Sequence, residues 1–267
     1  MTIRPLRDDD FDAIHRAFIN AFSHYVVPMQ PSTEALREMF TRRGWVPELS
    51  SGIFEDDRLV AFTLNAIDGD RGYDTGSGVL PTHRRRGLAR QTMEHSTTLL
   101  AEAGVTRYML EVLEPNTNAS ALYRSLGFAE TRRLDCYILE CGGASHRFQQ
   151  RRPQPPQSTH WWDVQPSWQN STASIHRARD QYVTIGDEDG YAILFPATGD
   201  LPQLAVRREA RRRGVGTRLI ETAAAIAEKP LRIINVDARD EGIAAFLAAL
   251  GARRFVRQIE MERTLGV

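Results

Sequence analysis

Residues 79–89 read VLPTHRRRGLA, and residues 206–216 repeat the pattern as VRREARRRGVG. Each copy is expected to lead from a strand into a helix through a turn with the spacing Arg-x-x-Gly-x-(Ala or Gly). Glycine and alanine leave no bulk over such a turn, so its successive N–H groups can face an outside anion, and the helix dipole favours negative charge there. The repeated stretch therefore predicts a phosphate cradle between a strand and a helix.

The turn differs from two well-known phosphate motifs. It lacks the spacing of the G-x-G-x-x-G dinucleotide turn, and no Gly-Lys-Ser/Thr follows it as in a P-loop. Arginine triplets such as residues 84–86 and 211–213 are, taken alone, more typical of solvated or generic anion-binding surfaces. Their fixed place before the glycine favours a specific ligand that carries phosphate.

The charges of the chain cancel, with 34 Lys and Arg residues against 34 Asp and Glu residues. Because there is no global positive field and no aromatic platform beside the arginine triplets, a nucleic-acid partner is not expected. The first residues lack an apolar signal core and no apolar run is long enough to cross a bilayer, so no membrane partner is expected. Cys136 and Cys141 point to opposite faces of one expected strand and can hardly pair, which indicates a reducing, cytoplasmic setting.

A repeat within 267 residues indicates two domains, since each half is long enough to hold a core of its own. The first domain is expected to span residues 1–142. Residues 143–158 are rich in Gly, Gln, Arg and Pro without an apolar period, which predicts a linker. The second domain, residues 159–267, has room for only a shortened version of the same plan.

Helical and strand patterns alternate along both halves. In the first half we expect strands near Ile3 and at 52–55, 59–66, up to 79, 108–113 and 134–140, with helices at 11–22, 33–42, 87–103 and 118–126. In the second half we expect strands at 181–185, 191–195, up to 206, 231–236 and 255–261, with helices at 214–228 and 241–250. This order predicts an α/β (α+β) fold for each domain, a mixed twisted sheet with helices on both faces.

Further motifs follow the turn in the first half: Leu110–Glu111–Val112, Asn118–Ala119 and the run LYRSLGF at residues 122–128. With these motifs the chain resembles the GCN5-related N-acetyltransferase (GNAT) superfamily, and both halves are similar to its members. The resemblance implies two tandem GNAT-like domains and acetyl-CoA as the co-substrate, whose pyrophosphate the cradle binds while an amine attacks the thioester directly. In motif wording the first half resembles the branch that acetylates ribosomal proteins and protein N-termini.

The resemblance also implies roles for single residues of the first half. Glu111 matches a general base that acts directly or through water, and Tyr123, twelve positions later, matches the usual general acid. Asn118 matches a residue that touches the cofactor arm, while Val79 and Leu80 would offer main-chain groups to pantetheine. The pyrophosphate motif covers Arg84, Arg85, Arg86, Gly87, Leu88, Ala89 and Arg90.

An acid and a base are also what the chemistry of amine acetylation requires. A primary amine has a pKa near 10.4, so its deprotonation at pH 7 costs about 4.6 kcal/mol, and some group must accept the proton. A carboxylate with an ordinary pKa of about 4.3 is a weak base, so Glu111 is expected to act through ordered water or at a raised pKa. The departing thiolate needs a proton or a hydrogen bond, which the phenol of Tyr123 can donate.

Each candidate residue also has a purely structural interpretation. Glu111 could be a solvent-facing or ion-paired strand residue, and Tyr123 could be a core aromatic whose hydroxyl is satisfied locally. His83 lies beside the cradle, but a lone loop histidine is usually neither a base nor a phosphate contact. The loop at residues 25–31 lies where acceptor-binding residues are often found in this superfamily, and His24, Tyr25 and Met29 could line a pocket there.

The second half departs from the catalytic pattern. Aligning Gly251 with Gly127 places Asn235 at the position of the base and Leu247 at the position of the acid. Its cradle retains the matching residues Val206, Arg211, Gly214 and Gly216. We therefore expect an active first domain and a second domain that could hold CoA without catalysing transfer by this mechanism, with the reverse assignment left open.

The sequence as a whole predicts an acetyl-CoA-dependent N-acetyltransferase that acetylates an amine of a small molecule or a peptide in a ternary complex. Two alternatives stay open: a non-catalytic acyl-CoA-binding module, and an acyltransferase that uses another acceptor or a longer acyl chain. No set of His, Cys and Asp residues has the spacing of metal ligands, so no metal is expected. None of these motifs encodes the oligomeric state.

Overall fold

A computed structural model describes residues 1–23, 29–140, 150–151 and 161–266. These residues form two compact units, one of Met1–Thr131 with Glu260–Val267 and the other of Arg132–Ile259. The loop at residues 24–28, Cys141 and most of the expected linker at 143–158 lie outside the described residues. The limits of the units differ from the expected domain limits. The segment that starts at Arg132 belongs to the second unit, and the segment Glu260–Val267 belongs to the first.

The first unit contains the helices and strands expected up to residue 126, with ends that differ from the prediction by at most two residues. In chain order they are β1 (Thr2–Pro5), α1 (Phe11–Ala21), α2 (Thr33–Arg43), β2 (Ser51–Glu55), β3 (Arg58–Asp68), β4 (Arg71–Val79), α3 (Leu88–Glu102), β5 (Arg107–Leu113) and α4 (Thr117–Ser125). The hydroxyl of Ser32 caps α2 by accepting from the N–H of Ala35 at 3.2 Å. The β2–β3 hairpin turns at Asp56 and Asp57, which adopt φ of 48° and 62°.

The sheet of the first unit has the order β1-β2-β3-β4-β5 and is antiparallel except for the parallel pair β4–β5. Helices cover both of its faces. A Cβ on Gly76 or Gly78 would meet Phe18 or Ala21 of α1, whereas Ser77 between them bonds through Thr63 to Thr92 of α3. The alternation of side chains along β4 therefore assigns α1 and α3 to opposite faces.

The pair β4–β5 opens along its length. Its ladder ends at Asp74 opposite Leu110, although β4 continues to Val79 and β5 to Leu113. A bulge at Thr75 shifts the register of β4 against β3 at this point. The opening between residues 75–79 of β4 and residues 111–113 of β5 is called the β4–β5 gap below.

The second unit repeats this plan with a shorter front. Its described elements are most of β6 (Ala129–Leu139), β7 (Gln150–Arg151), α5 (Thr172–Arg177), β8 (Val183–Gly186), β9 (Gly190–Phe195), β10 (Asp200–Val206), α6 (Val215–Ile226), β11 (Leu231–Asp237), α7 (Glu241–Ala249) and the first part of β12 (Arg253–Thr264). The strand order is β12-β6-β11-β10-β9-β8-β7. A single turn of 3-10 helix, Trp168–Asn170, and the short α5 replace the pair α1 and α2 of the first unit.

The last part of the chain completes the first unit. Residues 260–264 of β12 count with that unit and lie next to β5, where Arg107 donates two hydrogen bonds to Glu262 at 2.7 and 2.9 Å. The N–H of Leu265 donates to the carbonyl of Thr106 at 2.8 Å. The strand expected at 134–140 lies within β6 and belongs to the second unit, so it does not complete the sheet of the first unit as expected.

The predicted α/β class, with a mixed sheet and flanking helices in each of two domains, is confirmed. In the part of the chain that the structure describes, no helix is both long and apolar enough to span a bilayer. Among the same residues, no cluster of His, Cys, Asp and Glu side chains has the geometry of a metal site.

Candidate active site

The turn after β4 has an unusual backbone that depends on glycine. Residues 81–83 form one turn of 3-10 helix, Arg85 adopts φ of 62°, and Gly87 adopts φ of 74° and ψ of 4° immediately before α3 begins. A positive φ costs little only for glycine, which explains the residue at this position. No side-chain hydrogen bond caps α3 at Gly87, so the N–H groups of its first turn are left for another acceptor.

The turn after β10 has the same backbone. Arg212 adopts φ of 61°, and Gly214 adopts φ of 77° and ψ of 4° before α6 begins. The sequence repeat therefore encodes one conformation twice. Both turns fit an anion such as a pyrophosphate, because a side chain at either glycine would strain the backbone and project over the helix start.

The arginine side chains beside the first turn make different contacts. Arg84 donates to the carbonyl of Ala21 at 3.0 Å and so connects the turn to the end of α1. Arg90 donates to the hydroxyl of Ser125 at 2.6 Å, which connects α3 to α4. Arg86 lies 3.9 Å from Glu55, and Arg85 is exposed. The guanidinium groups of Arg84 and Arg90 thus hold neighbouring helices around the turn.

His83 connects the turn to β2. Its Nε2 lies 2.8 Å from the carboxylate of Glu55 on β2, and its Nδ1 lies 2.8 Å from the hydroxyl of Thr82. The hydrogen bond with His83 lowers the pKa of the Glu55 carboxyl. These contacts give His83 a structural position between the turn and β2, in line with the usual role of a lone loop histidine.

Glu111 is the first residue of β5 beyond the last ladder pair, so it lies at the narrow end of the β4–β5 gap. Glu111 as a whole is partly exposed, yet its Oε1 atom is buried. The hydroxyl of Tyr73 on β4 forms a hydrogen bond with this carboxylate. Burial, followed by the negative charge of Glu111, raises the pKa of Tyr73 well above its ordinary value, so the phenol stays protonated.

Tyr123 lies on α4, buried with 9% of its surface exposed. Its ring packs on Phe128 at 5.9 Å between centroids, and Phe128 packs on Tyr108 at 5.3 Å. Because side chains alternate along β5, Tyr108 points to the face opposite to Glu111. Tyr123 and Glu111 are thereby held on opposite sides of the sheet.

The other predicted cofactor residues lie around the gap. Val79 ends β4, Leu80 begins the turn with its N–H donating to the carbonyl of Val60 at 3.0 Å, and Leu88 and Ala89 form the first turn of α3. Asn118 is exposed in the first turn of α4, while the side chain of Asn116 caps that helix. Of the predicted residues, Val79 and Glu111 lie on the two strands that border the gap, and the turn and α3 follow directly after β4.

Two buried residues of β4 were not foreseen from the sequence, Tyr73 and Asp74. Asp74 is 6% exposed, and its carboxylate accepts from the N–H of Gly76 at 2.9 Å and from the hydroxyl of Ser77 at 2.8 Å. Burial raises its pKa to about 6, against the opposing effect of the Ser77 hydrogen bond. A signal was present, since an Asp between glycines in an otherwise buried strand is rare without a specific environment.

The matching region of the second unit has a different chemistry. Asn235, at a bulge of β11 with φ of 60°, accepts from Gln258 at 2.6 Å and donates to Ser167 at 3.1 Å. It is 5% exposed, and Leu247 is fully buried in the core. An amide and a leucine thus stand where the first unit has a carboxylate and a phenol.

The opening between β10 and β11 is also bridged by the chain itself. Their ladder has the single pair Asp200 and Arg232. Asn170 donates to the carbonyl of Ile234 on β11 at 2.7 Å, and its own carbonyl accepts from Gln203 on β10 at 2.7 Å. The buried turn Trp168–Asn170 therefore spans the two strands where they diverge.

The second turn is crowded as well. Arg211 lies 2.7 Å from Asp163 and donates to the carbonyls of Val206 and Trp161 at 3.0 and 3.2 Å. A Cβ on Gly216 would lie 3.2 Å from the ring of Phe246 on α7, so this glycine serves helix packing. Arg211 thus connects the second turn to neighbouring segments as Arg84 does in the first, and Phe246 packs on Gly216 at the position that Ala89 occupies in the first unit.

Together these features define a tandem α/β protein with an anion-binding turn beside an opened parallel strand pair. The profile of the Acetyltransferase (GNAT) family matches residues 12–128 and 147–252, well over half of the sequence. The chain belongs to the Acetyltransferase (GNAT) family, as the sequence motifs indicated. Members of this family are acetyltransferases, and the acyl donor of the family is acetyl-CoA.

Two curated relatives match part of the chain. The [ribosomal protein bS18]-alanine N-acetyltransferase of Salmonella typhimurium is 41% identical over 75 residues, which are 28% of this chain and 51% of that protein. The enzyme of the same name from Escherichia coli is 34% identical over 82 residues, 31% of this chain and 55% of its own length. The chain thus spans about half the length of the curated relatives it matches.

Two solved structures share the full tandem fold. A GCN5-related N-acetyltransferase from Sphaerobacter thermophilus aligns with a TM-score of 0.73 at 14% identity, over 100% of this chain and 96% of its own. A tandem GNAT protein from the clavulanic acid biosynthesis pathway aligns with a TM-score of 0.69 at 15% identity, over 100% and 99%. At these identities the likeness shows the fold alone, and it confirms the tandem arrangement.

Proposed function

We propose that the chain transfers an acetyl group from acetyl-CoA to an amine at the β4–β5 gap of its first unit. The observation that carries this proposal is an uncapped helix start at Gly87, directly after β4, combined with a carboxylate at Glu111 where β5 leaves the ladder with β4. The proposed acid, Tyr123, is buried on the following helix, α4. Acetyl-CoA, when bound, supplies an activated thioester. The N–H groups at the start of α3 would hold its pyrophosphate, and the unpaired edge of β4 at Val79 and Leu80 would hold its pantetheine arm.

In this proposal the acid and the base act from opposite faces of the sheet. Glu111 lies on the face of Tyr73, which is also the face of α1 and α2, and accepts the proton of the amine directly or through one water. Tyr123 lies on the other side and donates to the departing sulfur. This separation suits direct transfer, because the proton leaves the attacking nitrogen and the hydrogen bond forms at the departing sulfur, two different atoms of one tetrahedral intermediate.

The acceptor is proposed to be the amine of a peptide or of a small molecule. The partial likeness of the first unit to enzymes named for acetylating an alanine of ribosomal protein bS18 supports a peptide N-terminus as one candidate. The motifs of the site do not decide between the two classes. A panel of amines that contains both classes is therefore needed in the assay.

The second unit is proposed to take no part in catalysis and to bind no CoA. Asn235 and Leu247 offer neither a base nor an acid, and Asn170 bridges the strands between which the pantetheine arm would lie. The unit keeps the backbone of the turn at Gly214, so the bridge at Asn170 is the feature that argues against a bound pantetheine arm. One chain would thus bind one molecule of acetyl-CoA.

The function is tested by incubating the purified full-length protein with acetyl-CoA, a thiol reagent and the amine panel. We expect thiol release that depends on an amine, and a loss of about 100-fold or more in kcat for Glu111→Gln and for Tyr123→Phe, the range typical of general acid–base groups. Asn235→Ala in the second unit is the control and should leave the rate unchanged. Tight CoA binding without turnover on any acceptor would instead support an acyl-CoA-binding module.

A further inference from the structure

Tyr73 and Glu111 form a pair across the two strands that border the gap. The parallel register sets Tyr73 opposite Met109, and Glu111 follows two residues later on the same face of β5. Strands in a sheet lie about 4.8 Å apart, so a tyrosine and a glutamate in this diagonal relation can bring their polar ends together. Tyr73 is 3% exposed, and its hydroxyl bonds to the carboxylate within protein rather than in solvent.

The surroundings of this pair fix the direction of the hydrogen bond. Besides Glu111 of β5, the charged groups that act on the Tyr73 hydroxyl are Arg43 at the end of α2 and Asp74 on β4. Arg43 donates to the carbonyl of Thr75 at 3.1 Å, which holds it beside the bulge where the gap opens. Since the buried phenol stays protonated, its O–H donates and the ionised carboxylate accepts.

From this geometry we infer that Tyr73 is a positioning residue, whose hydroxyl holds the Glu111 carboxylate in the orientation in which it accepts the proton of the acceptor amine. The inference rests on the proposed function. A strand glutamate at the edge of an opening has several rotamers, and a single fixed donor selects one of them. The same donor favours the ionised form of Glu111, which is the form that acts as a base.

The variant Tyr73→Phe tests this role, because it removes one oxygen and keeps the packed ring. We expect kcat to fall between about 5-fold and 50-fold, part of the contribution of a general base, while the KM for acetyl-CoA changes less than two-fold. The acid limb of the kcat/KM profile should move to higher pH, since the ionised carboxylate loses a hydrogen bond. Carboxyl carbon NMR of Glu111, assigned with Glu111→Gln, should show the same upward movement of its pKa without any turnover.

Tyr182→Phe is the matched control, since it removes the hydroxyl of another buried tyrosine in the second unit and should change neither the rate nor the profile. A Tyr73→Phe enzyme with wild-type kcat, or with an unmoved acid limb and an unmoved Glu111 resonance, would overturn the inference. Full activity of Glu111→Gln would also overturn the inference, because it would show that the Glu111 carboxylate is not the base. If the wild type acetylates no amine while the resonance still responds to Tyr73→Phe, the proposed function fails, and with it this catalytic role.

Discussion

At the scale of single residues, Asp74 shows how the opening of the sheet leaves its mark on a side chain. The bulge beside it frees the N–H of Gly76 and the hydroxyl of Ser77 to satisfy the carboxylate, yet burial still raises its pKa to about 6. An ordinary Asp in the unfolded chain titrates near 3.9. The folded state therefore favours the protonated form of Asp74.

This difference gives stability a pH dependence of known sign. A carboxyl whose folded pKa is raised contributes stability below its unfolded pKa and loses that contribution as pH rises through the folded value, here between about pH 4 and pH 7. Two units correspond to about 3 kcal/mol at most. Asp74→Asn removes the effect, so the stability of the variant relative to wild type should rise by about 2–3 kcal/mol from pH 4.5 to pH 8 in urea unfolding.

The control for this prediction is Asp135→Asn in the second unit. Burial opposes ionisation of Asp135, but its hydrogen bonds to Arg257 at 2.7 and 2.8 Å and the charge of Arg254 outweigh burial and lower the pKa of its carboxyl. Its contribution is present above about pH 4 and is lost only as pH falls below that value, so the stability of this variant relative to wild type should stay nearly constant from about pH 4.5 to pH 8. A difference for Asp74→Asn that is constant across the range would contradict the prediction.

Single residues were predictable from sequence to the extent that their role depends on neighbours along the chain. Gly87 and the second glycine at 214 could be assigned to a turn because the motif that surrounds them is local. Tyr73 and Asp74 could not, because their partners come from β5 and α2 and from the bulge, which no short pattern encodes. The roles of Glu111 and Tyr123 remain predictions, although Glu111 lies at the gap.

At the scale of elements, the two strand–turn–helix units form a natural pair for experiment. Gly87→Glu and Gly214→Glu impose the same backbone strain, since both residues adopt φ near 75°, and both add a negative charge at a helix start. Only the first is expected to weaken CoA binding, by at least about 100-fold, equivalent to about 2.8 kcal/mol. The second should stay within two-fold of wild type in a calorimetric titration with one binding site per chain.

Comparing the pair separates strain from ligand contact. If both variants lose affinity equally, the loss comes from general destabilisation or from a second site, and the assignment of the working unit is wrong. Unchanged affinity in Gly87→Glu would remove the phosphate assignment itself. Melting temperatures of both variants, measured without ligand, show whether the two strains are equal.

Helices and strands were predictable to within about two residues in the first unit because apolar periodicity and caps such as Ser32 are local signals. The bulge at Thr75 was not, because the extra residue is defined only against the register of β3. The shortened front of the second unit was predictable from its length, but the contacts of the 3-10 turn Trp168–Asn170 with β10 and β11 depend on tertiary structure.

At the scale of the whole molecule, the two compact units do not coincide with the two halves of the sequence. Two halves in tandem suggest that each closes its sheet with its own last strand. Instead, residues 260–267 belong to the first unit and residues 132–139 to the second. Sequence periodicity locates strands but does not show which neighbour each strand pairs with. The exchange of these two segments between the units could therefore not be predicted from the sequence.

The exchange predicts an effect of truncation at a distance in sequence. A chain that ends at Ile259 lacks the strand beside β5, with the hydrogen bonds of Glu262 and Leu265, and leaves β5 with an unpaired edge. We expect it to lose CoA affinity at the first unit and to unfold at a lower temperature than a chain that ends at Leu265. Equal affinity and equal melting temperature of the two chains would contradict this account.

The same exchange has a consequence during synthesis on the ribosome. Most of the first unit emerges more than a hundred residues before the segment at 260–264 that completes its sheet, and domains otherwise tend to fold as they emerge, N-terminal first. Until that segment has been translated, one edge of β5 in the nascent first unit stays unpaired. A message cut short before this point would therefore yield a first unit without its last strand, so the proposed acetyl transfer would require translation of both copies.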